Sequence, residues 1–172
     1  MHSPEFGTRK EKEQFVGYAH NFMRYATVNG QQIDRLAQAL QYGFLSPREA
    51  QRLEIPYKKS LDITYVGCRD ADDIIFLFPL RELNQPSYWP EAVSVVFDKS
   101  LEVLSYEEMY EYQRGSWTHL SYSYGEVYAF GRIDPSNIRQ ILLPSPTREE
   151  IEQTRELVRK HAPTIADGII IR

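Results

Sequence analysis

Apolar positions along this chain recur in two periods, and the two alternate. From Gln31 to Tyr42, Ile33, Leu36, Ala37 and Leu40 fall three and four residues apart, which predicts one apolar face of a helix that stops at Gly43. Ser46-Pro47-Arg48-Glu49 is a capping signature, with Ser as cap, Pro at the first helical position and Glu three residues on. It predicts a short helix to about Leu53, ended by Ile55-Pro56. Ser105-Tyr106-Glu107-Glu108 repeats the signature and predicts helical turns through about Tyr112. Thr147-Arg148-Glu149-Glu150 opens a last helix carrying Ile151, Leu157 and Val158. Residues 9–21, polar and then semi-apolar at Phe15, Val16 and Tyr18, also read as a short helix.

Strand-like runs fill the spaces between. Phe22–Thr27 leads into a turn at Asn29-Gly30. Leu61–Val66 alternates, while Ile74–Phe78 and Val93–Phe97 are short continuous apolar runs. Ile169–Ile171 reads either as a final strand or as the start of a further segment. Arg69–Asp73 is a charged turn, most simply solvated, and 79–92 is a loop with Pro79, Pro86 and Pro90. A helix pair followed by several strands predicts the α+β class. At 172 residues the chain is read as a single domain over 9–172, with residues 1–8 resembling an expression leader.

Composition narrows the function. The 12 tyrosines suit a groove in which rings stack and hydroxyls bond. A net charge of −4 argues against nonspecific nucleic-acid binding, although a local basic groove remains open. Lys58, Lys59 and Arg114 are the cations that would touch phosphate in such a groove, and are otherwise solvated. One cysteine, Cys68, rules out an intramolecular disulfide and reads as a small buried residue. The four histidines show no metal-ligand spacing. His119 beside Trp117 has no visible partner for base chemistry. With no membrane-span or signal-peptide pattern, the expectation is a soluble cytoplasmic domain.

One stretch concentrates the candidate chemistry. Gly125 to Pro144 reads as strand, tight turn, strand, with Asp134-Pro135-Ser136-Asn137 as the turn. Glu126 stands at its head, after a long polar-aromatic loop from Gln113 to Tyr124. Long ordered loops are usually functional. A carboxylate where a loop meets a buried strand is held and reachable, so Glu126 reads either as a ligand-facing group or as a solvated strand-end acid.

Three blocks in order resemble a known family. They are Arg24-Tyr25-Ala26-Thr27 with the helix and Gly43-Phe44-Leu45-Ser46, then Val93–Asp98, then Glu126-Val127 through Gly131-Arg132-Ile133 to Ile138 and Ile141. Together, over about residues 22–144, they are similar to the ADP-ribosyltransferase fold, most like the bacterial toxin or effector members that include the DarT-like enzymes. The resemblance implies a split, twisted, mixed β-sheet with N-terminal helices and a cleft for NAD. Nicotinamide would leave, and ADP-ribose would pass to a protein or nucleic-acid acceptor. The resemblance assigns the catalytic carboxylate to Glu126, which would stabilise the oxocarbenium-like ribose. It places Arg24 with Glu126 among the catalytic residues and also assigns it cofactor contacts, its guanidinium suited to phosphate oxygens, with Tyr25 and Thr27 beside it and Tyr65 or Tyr57 against nicotinamide. The loop over 113–125 would present the acceptor, and an antitoxin or target protein would be a partner. The first strand lacks the histidine of many members, and Tyr124 stands where arginine-modifying members carry Glu or Gln, so an arginine acceptor is not expected. The alternative of another class is a non-catalytic binding module of the same fold, recognising a nucleotide, nucleic acid or protein.

Overall fold

A computed structural model describes residues 15–17, 24–57, 68–79, 93–114 and 126–172. The expected leader, the strand over Leu61–Val66, Lys58, Lys59, Tyr65, Tyr88, Trp89, Trp117 and His119 lie outside the described residues. So does nearly all of the loop ahead of Glu126.

A six-stranded sheet is assembled from β1 (Phe15–Gly17), β5 (Ile74–Pro79), β6 (Ser94–Phe97), β7 (Val127–Phe130), β9 (Ile138–Leu142) and β10 (Ile170–Ile171). Its order is β10-β9-β6-β1-β5-β7. Only β10 with β9 is parallel; the other pairs are antiparallel. The sheet is therefore mixed, and with the helices it gives an α+β architecture. The pairing of β1 to β6 rests on Val16 against Val96, while its pairing to β5 runs Phe15 to Pro79, Val16 to Phe78 and Gly17 to Leu77. Where a helix is expected over 9–21, the described residues Phe15–Gly17 form a strand. Edges supplied by distant segments outweigh local helical patterning there.

The chain leaves the sheet twice. β2 (Tyr25–Val28) and β3 (Gln31–Asp34) form an antiparallel ribbon of their own. Asn29 and Gly30 both take positive φ, 50° and 78°, as a two-residue hairpin whose twist matches its strands requires. This turn sets Gln31–Asp34 against Tyr25–Val28, so the helix expected from Gln31 begins instead at Arg35. α1 (Arg35–Tyr42) is capped by the Asp34 carboxylate, which accepts from the N–H groups of Leu36 and Ala37 at 3.0 and 3.1 Å. Helix α1 stops at Gly43, where φ is 82° and a β-carbon would lie 2.0 Å from the carbonyl oxygen of Ile133. That close approach lets β4 (Phe44–Leu45) pair with β8 (Arg132–Ile133) in a second ribbon. The sequence between β7 and β9 therefore does not close a simple hairpin. β7 lies at one edge of the sheet, β8 leaves to join β4, and β9 lies beyond β6 on the other side.

The predicted caps form. Ser46 accepts from Glu49 N–H to start α2 (Pro47–Arg52), and Ser105 accepts from Glu108 N–H to start α3 (Tyr106–Tyr112). Thr147 and Glu150 bond reciprocally at the head of α4 (Arg148–His161). Alternation then sorts the strand residues onto two faces. Ile75, Leu77, Val95, Phe97, Val127, Ala129 and Ile141 join Leu36, Ala39 and Leu40 of α1 and Val158 of α4 in the main core. Phe97 is fully buried and meets Phe44 edge-on at 4.7 Å. Ile74 and Tyr128 lie in a smaller cluster with Met109 of α3, flanked by Phe76, Leu104 and Phe130. Among the described residues, no helix is long and apolar enough to cross a membrane.

Candidate functional site

Glu126 immediately precedes β7 and is 1% exposed. A carboxylate rarely sits so deep unless it is bonded. Two residues along the same strand direction, Tyr128 is 0% exposed, and its hydroxyl donates to Glu126 Oε1 at 2.9 Å. Residues two apart on a strand share a face, so this bond follows from the local backbone. Tyr128 is itself fixed. Its N–H donates to the Leu104 carbonyl at 2.9 Å, and its carbonyl accepts from Leu104 N–H at 2.7 Å. Its ring meets Phe76 edge-on at 5.7 Å. The acid thus ends a segment of backbone paired on both sides, by β5 and by Leu104. Its burial departs from both sequence readings, which placed it either in solvent or within open reach of a ligand.

Arg24, Tyr25 and Thr27 are brought together at the β2–β3 ribbon. The Arg24 guanidinium forks onto Asp34, with Nε at 3.2 Å from both carboxylate oxygens and one terminal nitrogen at 2.9 Å. Burial works against the charge of Arg24, and the hydrogen bonds and charge of Asp34 outweigh it, so its pKa is raised. Asp34 therefore serves two structures at once, the ribbon root and the first turn of α1. The guanidinium carbon also lies 5.1 Å from the centre of the Tyr25 ring. Tyr25 and Thr27 are exposed, on the same face of β2. The ion pair of Arg24 runs to Asp34 and not to Glu126, and Tyr65 lies outside the described residues.

A set of contacts that no local pattern announces holds the corner beside β7. The charged turn at Arg69–Asp73 is open to solvent, as expected, with Arg69 and Asp72 exposed, and it is also a clasp. Ser46 Oγ donates to Asp73 at 2.9 Å, and the Asp73 carbonyl accepts from Gly131 N–H at 2.9 Å. The Tyr112 hydroxyl donates to Asp70, and this bond is the first cause of the lowered Asp70 pKa. The Arg69 guanidinium lies 4.7 Å from the centre of the Tyr112 ring. Gln113, 4% exposed, bonds both backbone groups of Arg69 through its side-chain amide. The segment that leads toward Glu126 is thereby anchored where it leaves α3. The only sequence signal for this is an amide at a loop base, which is too common to have identified it.

No family model and no curated protein matches the sequence. Among solved structures, the chain is similar to one described as Thermosipho africanus DarTG in complex with ADP-ribose, with 14% identity and a TM-score of 0.47. The likeness covers 92% of this chain, and this chain spans about half of that one, 49%. A TM-score below 0.5 does not establish a common fold, so the reading of the site rests on this chain's own residues.

Proposed function

We propose that this chain is an NAD-dependent ADP-ribosyltransferase of toxin or effector type, acting on a protein or nucleic-acid acceptor in the cytoplasm. The observation that carries the reading is Glu126, a carboxylate buried at a strand head and held by a tyrosine hydroxyl. The sequence resemblance assigns the catalytic role to this same residue. In the reaction the bond from the ribose anomeric carbon to nicotinamide breaks, and its electron pair leaves with nicotinamide. Positive charge develops on the ribose, where Glu126 stabilises it from a fixed position. The acceptor nucleophile then bonds to the anomeric carbon and loses its proton. Tyr25 and Thr27, exposed on one face of the ribbon, contact the cofactor with Tyr65. Arg24 contributes by holding that ribbon, and reaches a phosphate only by sharing its fork with Asp34. An antitoxin or the target protein is the macromolecular partner.

The same Arg24–Asp34 fork is the specific observation behind a second reading. A guanidinium already engaged by a carboxylate is what a binding module without turnover would retain. Nicotinamide release from NAD separates the two, measured for the full chain and for Glu126→Gln, each with and without DNA, RNA or cell lysate. The expected result is turnover in the parent and a loss of roughly 100- to 1,000-fold in the variant. Absence of both turnover and NAD binding under every condition would leave the binding module.

A further inference from the structure

We propose that Tyr128 is a positioning residue whose hydroxyl fixes the Glu126 carboxylate for the transfer step. As a statement about catalysis this rests on the transferase reading; as a statement about the carboxylate it does not. The argument begins with the core. The small cluster around Ile74, Met109 and Phe76 needs a large ring at position 128. Phenylalanine would supply the same ring without placing a hydroxyl out of water. A buried hydroxyl is retained where it has a partner, and here it donates to Glu126 Oε1 at 2.9 Å. Neither end of that bond can drift far. The Tyr128 backbone is bonded to Leu104 in both directions, and its ring is set against Phe76. Glu126 is one residue from Val127, which is fully buried and paired with Leu77. A carboxylate at the end of two methylenes has several rotamers, and one fixed donor selects among them.

Tyr128→Phe in the full chain removes the hydroxyl and keeps the ring. Its expected effect is a fall in kcat of roughly 10- to 100-fold with KM nearly unchanged, because the lost alignment matters in the transition state. A purely structural hydroxyl would move the thermal midpoint and leave kcat alone. A second readout does not need turnover. Isotope-edited infrared spectra identify the Glu126 carboxylate stretch as the band lost in Glu126→Gln, and that band should shift in Tyr128→Phe. Should the phenylalanine variant misfold, 3-fluorotyrosine at position 128 keeps the packing and strengthens the donor, and should shift the band in the opposite sense. Unchanged kcat in an active protein would overturn the positioning role while leaving the transferase reading intact. Absence of turnover in the parent would sink the transferase reading alone. The band then decides: a shift upholds the fixing of the carboxylate, and an unmoved band overturns it.

Discussion

On one face of the six-stranded sheet, Leu36 and Leu40 of α1 and Val158 of α4 close over Leu77, Val95, Phe97 and Val127 in a large apolar cluster. On the other, Ile74, Met109 and Tyr128 form a much smaller cluster, and polar groups are threaded around it: the Tyr128–Glu126 bond, the Tyr112–Asp70 bond and the Gln113 clamp. Adjacent residues of one strand serve the two sides, Val127 and Ala129 the first, Tyr128 the second. The first face gains stability from area removed from water. The second holds a carboxylate in one place, and on the proposed function it gives up some stability to do so. Stability and chemistry should therefore separate by face.

The largest test of that separation is Phe97→Ala. It should cost about 3–5 kcal/mol, through lost burial and a cavity beneath Phe44, read by denaturant unfolding. Little change there would mean that the first face is not the source of stability. Glu126→Gln comes next. It keeps the side chain's shape and exchanges the acid for an amide that can still accept from Tyr128, so turnover should collapse while the thermal midpoint holds. A midpoint several degrees lower would mark the acid as a structural group and erase the contrast. The smallest effect belongs to the sheet's rim, where Arg139 Nε donates to Asp98 at 2.7 Å. Hydrogen bonds from the Ser100 side chain and backbone, then from Arg139, lower the Asp98 pKa from 3.8 to about 2. A carboxyl depressed in the folded state adds stability above its unfolded value, and the contribution is lost as pH falls from about 4 through about 2. Acid unfolding of Asp98→Asn should be flatter across that window. The difference should shrink in high salt, because the pair is solvent-accessible. A difference that salt leaves untouched would mean the rim behaves like the buried second face.

What could be read in the sequence followed range along the chain. Ser46, Ser105 and Thr147 cap the helices they were expected to cap, because a cap is settled within four residues. The buried runs at Ile74 and Val93 became central strands for the same reason. The start of α1 is not legible locally, because Ile33 lies on the helical period, whereas its actual neighbour is Ala26 across the ribbon. Phe15–Gly17 depends on partners at Leu77 and Val96, which local pattern cannot supply. The site divides in the same way. The place of Glu126 between loop and strand marks it as a candidate, whereas its burial depends on the fold around it. Its partner Tyr128 stands two residues on, a spacing that puts both on one face of a strand but does not by itself announce a bond. The commitment of Arg24 to Asp34 required knowing that the ribbon closes.

The central strand β1 has a consequence for the order of assembly. It precedes every other strand of its sheet, yet both of its neighbours, β5 and β6, come later in the chain. During synthesis this segment emerges early and must remain unpaired until they follow. The sheet is then sealed by its earliest-made strand, so long-range closure rather than helix formation should set the pace of folding. Until that closure, the edges of β5 and β6 stand open to strands of other chains, and a polypeptide stalled at this stage carries its principal risk of misassembly there.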